Sequence, residues 1–426
     1  MTVTAAAALG VGSMIGAGIF ALIGEAGAIA GNAVWMSFII GGFIALVSGY
    51  SLARLGVRYP AAGGIVEYLV QSYGEGLLSG TLSILLYISA LVALALVAKT
   101  FGSYATKLLA VDSERWVNSL ADLVIIGFVL LNLEGAKKVA RLEKFVVGLK
   151  LLILVGFAVA GLTVSDPALL SSSHYPETTQ VLYSLAITFF AFEGFRVITN
   201  AVEDMPDPSR TLPRAMFLAI GSVLIIYIAV SFAVFGNLDS QQVVIAKDYA
   251  LAEAAKPVFG TVGFSIIAVA ALISTASSIN ANLYAVTNVT YQLAKEGELP
   301  SVFGKPFGKS REGLIISAIL IILLSHAFDL AEIASVGSIS ILIVHLMVHV
   351  GHLKLRHETG TPFVMIILAI VLTLGAICFS SIYAMQNSPH ILWLVCGSLL
   401  TAFLAESLLR HLTGRRVQTR TPEPSG

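Results

Sequence analysis

The sequence predicts an all-α integral membrane protein with about twelve transmembrane helices. Of its 426 residues, 57% are hydrophobic and 12% are charged, whereas soluble domains average about 45–50% and about 25%. A membrane-spanning helix needs about 20 apolar residues, so twelve such helices would use about 240 residues, or about 56% of the chain. This agreement argues against a soluble enzyme.

Apolar runs separated by short polar or glycine-rich connections give the position of each helix. The first run, from Val3 to Ile23, has no positively charged leader and no small-residue cleavage site, so we expect it to be retained as helix 1. The twelve helices are expected at about 3–24, 32–55, 76–101, 119–134, 144–164, 178–200, 213–236, 258–292, 313–327, 332–354, 362–385 and 390–411.

The basic residues predict the orientation, because lysines and arginines are retained on the cytoplasmic side of a membrane. With the N-terminus inside, eighteen of the 25 fall in cytoplasmic segments, and Lys150 and Arg196 are left within or at the ends of helices. The five expected in outer loops are Lys99, Lys107, Arg115, Lys247 and Lys256. We therefore expect both termini in the cytoplasm.

Composition also argues against several functions. A formal net charge of zero lacks the basic excess of a nucleic-acid binder. Cys378 and Cys396 are too few for a disulfide framework or a cysteine metal site, and we expect them as small apolar residues in late helices. Few ionisable residues lie deep in the predicted helices and no pore signature is repeated, so neither a membrane enzyme nor a channel is predicted. We expect no cofactor, no metal and no obligatory protein partner.

Helix 1 carries four glycines, Gly10, Gly12, Gly16 and Gly18, in the middle of its apolar run. Each glycine costs about 1 kcal/mol relative to alanine in a helix. Unwound backbone survives in a membrane only where protein or a water-filled cavity satisfies it. The glycines therefore indicate either a broken helix that lines a site or close packing of another helix. A dinucleotide-binding loop is disfavoured, because Ile15 stands at its third glycine position and no strand precedes it.

Helix 6 carries a second interruption, the sequence FFAFEGFR at 189–196, with Glu193 beside Gly194 near the middle of the span. A carboxylate at that depth is costly and normally faces a cavity or a partner, which makes Glu193 a functional candidate. The alternative is a structural ion pair with Arg196, three residues further along the same face.

The two interrupted helices are five helices apart, which predicts an inverted-repeat secondary transporter. An odd number of helices per repeat makes the second repeat run opposite to the first. Substrate would bind near the midplane, where helix N-termini attract a carboxylate and unwound carbonyls accept from an amine, a pair of poles that suits an amino acid. The expected units are repeats at 1–164 and 165–355, peripheral helices at 356–412 and a disordered cytoplasmic tail at 413–426.

Three segments resemble the amino acid–polyamine–organocation (APC) superfamily of transporters: GSMIGAGIF at 12–20, YPAAGG at 59–64 and EDMPDPSRTLPRA at 203–215. The third match is long and specific. The resemblance implies a LeuT-like fold and an amino-acid permease of the cell (plasma) membrane, in which proton coupling and alternating access drive uptake. A sodium-coupled symporter or an amino acid/amine exchanger remains the alternative.

The resemblance also implies a substrate site. The backbone amides around Gly16 to Gly18 would hold the carboxylate, carbonyls near Met14, Phe190 and Ala191 would hold the amine, and Phe190 or Phe192 would close over the side chain. The full set of substrate-binding residues is expected to be Met14, Ile15, Gly16, Ala17, Gly18, Phe190, Ala191, Phe192 and Glu193.

Lys150 in helix 5 is the expected proton-coupling residue. The resemblance implies that its ammonium takes the place of a sodium ion against helix 1 carbonyls near Gly10 and Val11. Burial disfavours the charged form of a lysine, so a modest change in hydration can load and release a proton. On the residues alone the alternative is equally open, because Lys150 is about six residues, or about 9 Å of helix rise, from the predicted cytoplasmic end and could extend to the surface.

Other polar residues in the predicted helices leave alternatives open. As a departure from the family pattern, Glu193 would face the substrate side chain, where it would favour cationic substrates or add a second protonatable group. Hydroxyls at 274–278 could serve a sodium ion or bond within the membrane. Tyr87, Asn280 and Asn282 could line the pocket or pack.

Three histidines recur at helical spacing at the end of helix 10. Metal binding is one interpretation, because two histidines one turn apart can share an ion. A basic cytoplasmic interface is favoured, because Lys354, Arg356 and His357 follow directly. The three are His345, His349 and His352.

Overall fold

The computed structural model describes residues 1–61, 63–111, 113–134, 139–295, 301–307 and 310–413, and these are almost entirely helical. The α-helices, α1 to α17 in chain order, are Val3–Ala17, Ile19–Ala30, Val34–Arg58, Ile65–Tyr73, Leu77–Leu108, Glu114–Glu134, Val139–Val164, Thr178–Tyr183, Leu185–Phe192, Pro208–Phe235, Ser240–Ile245, Ala250–Glu253, Lys256–Lys295, Glu312–Ala327, Leu330–Thr359, Phe363–Asn387 and His390–Thr413. Shorter 3₁₀ segments are Gly31–Ala33, Ser172–His174, Glu193–Asp204, Lys247–Tyr249 and Ser301–Gly304.

The prediction of an all-α integral membrane protein is confirmed. Among the described residues, ten helices are long and apolar enough to cross a membrane, and two further apolar helices, Val3–Gly16 and Glu312–Ala327, are shorter. The first lies within predicted helix 1, and the second corresponds to predicted helix 9. The only strands in the described ranges, β1 (Pro306–Phe307) and β2 (Ser310–Arg311), pair antiparallel with Pro306 opposite Arg311.

The ends of α15 show why these helices begin and end where they do. Asp329 accepts a hydrogen bond from the Glu332 amide, and the Glu332 side chain accepts one from the Asp329 amide, so two free amides at the start of α15 are satisfied. Gly360 ends the helix in the left-handed conformation, at φ 61°. At the start of α10, Asp207 caps the helix ahead of Pro208, and a hydrogen bond from the Ser209 hydroxyl holds the pKa of the Asp207 carboxyl below its usual range.

Predicted helix 1 is interrupted at a single residue. The α-helix continues from Val3 through the first three glycines to Ala17, breaks at Gly18 and resumes at Ile19. Side chains at the other glycines would meet neighbouring helices: a Cβ on Gly10 would lie 2.5 Å from Ile198, and one on Gly16 would lie 2.7 Å from Ser278. Close packing therefore accounts for Gly10 and Gly16, and chain interruption accounts for Gly18.

Predicted helix 6 is interrupted at Glu193, where α9 ends and the 3₁₀ segment Glu193–Asp204 begins. Gly194 lies against α1, and a Cβ there would be 2.4 Å from the Met14 nitrogen. The two interrupted helices thus touch backbone to backbone. Around them pack α3, α7, α10 and α13, while α15 packs against α9 and α5 packs against α13.

Lys99 does not lie in an outer loop, as the charge count had placed it. It is buried inside α5, and its Nζ donates to the carbonyls of Ser325, at 3.2 Å, and Phe328, at 2.5 Å. These carbonyls belong to the end of α14, which gives the ammonium partners within the protein. Other predictions lie outside the description: the tail at 414–426, and the backbone or side chains of Lys137, Lys138, Arg141, Lys144, Lys295, Lys309, Arg415, Arg416 and Arg420.

Replacing Gly194 by alanine should destabilise the protein, because the added methyl group would overlap the α1 backbone at Met14. We expect a loss of about 1–3 kcal/mol, typical of overpacking, seen as a lower thermal unfolding midpoint in detergent. Gly221→Ala is the matched control, because nothing lies within 4 Å of a Cβ at that position in α10. Equal midpoints for the two variants would contradict the close contact between the interrupted helices.

Candidate functional site

The hydroxyl of Tyr227, on α10, joins the interrupted helices. It lies 2.9 Å from the Met14 carbonyl near the end of α1 and 3.0 Å from the Ala191 carbonyl near the end of α9. The amide of Ile19, the first residue of α2, also bonds to it. Tyr227 is fully buried, so these backbone groups find their partner in protein and not in water. The Met14 and Ala191 carbonyls expected to hold a substrate amine therefore do converge on one point.

The predicted aromatic residues lie on different sides of α9. Phe192 is fully buried, with its ring centroid 5.0 Å from that of Tyr227 and 6.4 Å from that of Phe38. Phe190 instead points to α15, where its ring would contact a Cβ on Gly337 at 3.0 Å. Phe192 thus belongs to the packing around Tyr227, and Phe190 lies between α9 and α15.

The remaining predicted substrate residues surround the break in helix 1. Ile15 and Gly16 are buried within the last turns of α1, and Gly18 donates its amide to the Met14 carbonyl at 2.7 Å. A Cβ on Gly18 would lie 2.1 Å from the Tyr227 hydroxyl, so only glycine fits at the break. Ala17 ends α1, and its side chain lies outside the described part of the chain.

Lys150 is buried and bonded to helix 1. Only 2% of its surface is exposed, and its Nζ donates to the Gly12 carbonyl at 2.6 Å. Its helix, α7, begins at Val139, so Lys150 lies about 16 Å from that end rather than about 9 Å. The ammonium does not extend to the surface, and its contact is one residue beyond Val11, the nearer of the two positions expected.

Glu193 is held between two cationic or titratable side chains. Arg196 Nε lies 2.6 Å from its Oε1, without hydrogen-bond geometry, and His345 Nε2 lies 3.1 Å from its Oε2. The ion pair with Arg196, one of the two interpretations of the sequence, is therefore present. His345, on α15, is a partner that the sequence did not indicate.

The interpretation of His345, His349 and His352 as a basic cytoplasmic interface is wrong. All three are fully buried, facing α3 rather than solvent. Ser48 and Ser51 of α3 bond to them. Within the described residues no group of three or more metal-ligating side chains is close enough to hold an ion, so metal binding gains no support either.

Polar residues of α13 are mostly paired within the protein. Thr275 donates to the Ala271 carbonyl at 2.7 Å, and Ser278 accepts from Asn282 at 3.1 Å. Asn280 accepts from Asn132 of α6 at 3.0 Å. These contacts are the intramembrane bonds that formed the alternative to a sodium site.

A cavity lies beside the 3₁₀ segment, between it and the helices α5 and α13. Its walls include Tyr87, Arg196, Asn200 and Asn282, with Gly63 from the connection after α3 and Val66 from α4. The residues expected to contact substrate do not line it. Arg196 connects the two regions, because its side chain lines the cavity and also pairs with Glu193.

The opposite end of the helical bundle is closed by the segment between α10 and α13. Lys247 pairs with Glu25 of α2 at 3.4 Å, and its backbone lies so close to Gly24 that a Cβ there would be 1.9 Å from the Lys247 carbonyl oxygen. Burial lowers the pKa of Lys247, but the negative charges of Glu25 and Asp248 outweigh that effect and leave it raised. The ion pair therefore holds the segment between α10 and α13 against α2.

Removing the Tyr227 hydroxyl should weaken the fold and the site together. In Tyr227→Phe the Met14 and Ala191 carbonyls lose the hydroxyl proton that lies between them, although the Gly18 amide still donates to Met14. An incompletely satisfied buried carbonyl costs about 1–3 kcal/mol, so we expect a lower thermal unfolding midpoint. Tyr50→Phe serves as control, because Tyr50 is only half-buried beside Phe217. An unchanged midpoint in Tyr227→Phe would mean that the hydroxyl is not what satisfies the interrupted helices.

Comparison with known proteins supports this architecture. The family model described as amino acid permease matches residues 1–402. The inner membrane transport protein YbaT of Escherichia coli is 36% identical over 95% of both chains. The uncharacterized protein MJ0609 of Methanocaldococcus jannaschii is 34% identical over 96% of this chain and 95% of its own. The serine/threonine exchanger SteT of Bacillus subtilis is 28% identical over 68% of this chain and 67% of its own. The chain therefore belongs to the amino acid permease family of membrane transporters, within the APC superfamily.

Proposed function

We propose that the protein takes up amino acids across the plasma membrane by proton coupling and alternating access, with both termini in the cytoplasm. The observation that carries the proposal is the contact between the buried Lys150 ammonium and the Gly12 carbonyl of α1. Loss of the proton would remove the positive charge that strengthens this hydrogen bond. Protonation of Lys150 and the position of α1 would therefore depend on each other.

The substrate is proposed to bind at the breaks in predicted helices 1 and 6. A zwitterion needs a donor set for its carboxylate and an acceptor set for its ammonium. The α2 N-terminus after Gly18 supplies amides, and the Met14 and Ala191 carbonyls supply acceptors that now bond Tyr227. A substrate ammonium would compete with the tyrosine hydroxyl for these acceptors, with Phe190 or Phe192 as the closing aromatic residue.

Alternating access is supported by the difference between the two ends of the bundle. Lys247 and Glu25 close one end, while the cavity beside Arg196 lies toward the other. The cavity separates the 3₁₀ segment from α5 and α13, which are the groups proposed to rock: predicted helices 1, 2, 6 and 7 against 3, 4, 8 and 9. Breaks at Gly18 and Glu193, in corresponding helices, support inverted repeats at 1–164 and 165–355 with a LeuT-like arrangement.

Exchange is the second candidate, favoured by the likeness to the serine/threonine exchanger SteT. In that case Lys150 would have a structural role only, and net uptake would need a countersubstrate inside. Sodium coupling would need acceptors on α13, where Ser274 Oγ is buried without a hydrogen-bond partner.

Uptake into proteoliposomes with a panel of amino acids tests the proposal. A proton gradient alone should drive accumulation and a sodium gradient alone should not. Lys150→Ala should reduce proton-driven accumulation about tenfold or more, equivalent to about 1.4 kcal/mol, while Lys354→Ala, which removes a lysine near the end of α15, should not. Sodium-driven uptake, uptake that needs internal substrate, or accumulation by Lys150→Ala equal to the parent protein would each overturn proton coupling through Lys150.

A further inference from the structure

A continuous row of hydrogen-bonded side chains runs from the break in predicted helix 6 to the end of α15. Imidazoles of α15 alternate in it with hydroxyls, two of them from α3. We call it the histidine chain, and its members in order are Glu193, His345, Ser48, His349, Ser51, His352, Thr359 and Thr361. Each member exposes 7% of its surface or less, so bulk water does not interrupt the row.

The first half of the histidine chain lies in the middle of the bundle. His345 Nε2 is 3.1 Å from Glu193 Oε2, and its Nδ1 is 3.1 Å from Ser48 Oγ. Ser48 Oγ is in turn 2.7 Å from His349 Nε2. The rings of Phe189 and Phe195, with centroids 5.5 Å and 5.7 Å from that of His345, exclude other partners at this end.

The second half reaches the end of the helix. His349 Nδ1 is 3.0 Å from Ser51 Oγ, which is 2.8 Å from His352 Nδ1. His352 Nε2 is 2.9 Å from Thr359 Oγ1, and Thr361 Oγ1 lies 2.9 Å beyond. From His345 to Thr359 the chain rises about 21 Å along α15.

All hydrogen bonds of the histidine chain can point the same way from donor to acceptor. A neutral imidazole donates from one nitrogen and accepts at the other, and a hydroxyl donates once and accepts. With Glu193 ionised, His345 donates to it and accepts from Ser48, and the same alternation continues to Thr361, which donates to Thr359. In this arrangement the Thr359 proton points to His352, at 2.9 Å, and not to the Arg356 carbonyl, at 3.2 Å. Both nitrogens of every histidine are used, as burial of an imidazole requires, and the same bonds form a continuous row.

We propose that the histidine chain is a proton relay between the proposed cytoplasmic face and Glu193. A proton added at the hydroxyl of Thr361 displaces the one that this hydroxyl donates. Each O–H or N–H bond along the row breaks as the next forms, and the His345 proton passes to the Glu193 carboxylate. As a result, one proton is taken up at the Thr361 end and Glu193 becomes neutral. The donor and acceptor of each hydrogen bond in the row are exchanged. Passage in the opposite direction restores the original state.

Charged and titratable groups around the histidine chain fit this role. Arg196, from the 3₁₀ segment, stabilises ionised Glu193, and Arg54 of α3 donates to the Thr359 carbonyl at the other end. Tyr73 of α4 donates to the Met347 carbonyl on α15. Lys99 of α5 bonds to carbonyls at the end of α14, and Glu406 of α17 pairs with Arg410, so both are engaged away from the histidine chain. Next to Thr359, Glu358 forms an ion pair with Arg58 and accepts a hydrogen bond from the Tyr59 hydroxyl.

Interrupting the relay at its hydroxyls tests it in transport. This inference rests on the proposed function in one respect: protonation of Glu193 would accompany amino-acid uptake. In proteoliposomes holding a pH-sensitive dye, substrate-driven proton flux should fall about tenfold or more in Ser48→Ala and Ser51→Ala. Substrate exchange at equal pH should remain. Ser89→Ala is the matched control, because Ser89 is equally buried but bonds only within its own helix, to the Leu85 carbonyl. Equal proton flux in Ser48→Ala and the parent protein would overturn the relay.

A second measurement does not depend on transport. After a rapid drop in pH, infrared difference spectroscopy of the purified protein should show a protonated carboxyl band that is absent in Glu193→Gln. The band should appear about tenfold more slowly in Ser48→Ala and in His349→Gln than in the parent protein and in His357→Gln, which removes an exposed histidine of α15. Absence of the band in the parent protein, or its equally fast appearance in Ser48→Ala, would refute the relay. If the band is slowed in Ser48→Ala but the parent protein shows no proton-driven uptake, the proposed function would be refuted and the relay would stand.

Discussion

Satisfaction of interrupted backbone inside a membrane is the constraint on which the rest of this structure depends. A polar backbone group without a partner in hydrocarbon costs several kcal/mol, so a helix can break there only where the protein supplies the missing bonds. At this break the Tyr227 hydroxyl supplies a proton shared between the Met14 and Ala191 carbonyls, and the Gly18 amide donates to Met14 as well. Gly18 must then lack a side chain so that the hydroxyl fits, and Gly194 must lack one so that α1 can approach. The position of the site follows from these few contacts.

Much of the fold could be predicted from the sequence because a bilayer imposes long apolar runs. The helices occur near their predicted positions, and both interruptions were located to within a few residues. The four glycines of helix 1 could not be separated by function, because close packing and chain interruption use the same residue. Their roles depend on what lies opposite: Ile198 beside Gly10, and the tyrosine hydroxyl beside Gly18.

The candidate site was only partly predictable, because its polar partners are distant in sequence. Tyr227 is 213 residues from Met14, and one tyrosine in an apolar run gives no signal of what it bonds. The histidines of α15 were assigned to an interface because basic residues follow them, whereas Ser48 and Ser51, about 300 residues earlier, bury them. Lys99 was misplaced for the same reason: its carbonyl partners on α14 are invisible to a count of charges.

Contacts from three directions meet on one short stretch of α1. Lys150 bonds to the Gly12 carbonyl, Gly194 touches the Met14 nitrogen beside Glu193, and Tyr227 bonds to the Met14 carbonyl. Packed interiors deform little, so a shift of this stretch changes all three contacts together. In the proposed mechanism, a charge lost at Lys150 or at Glu193 would act on the backbone that the substrate would also contact. This shared backbone would couple the ionisable groups to the proposed substrate site without direct contact between their side chains.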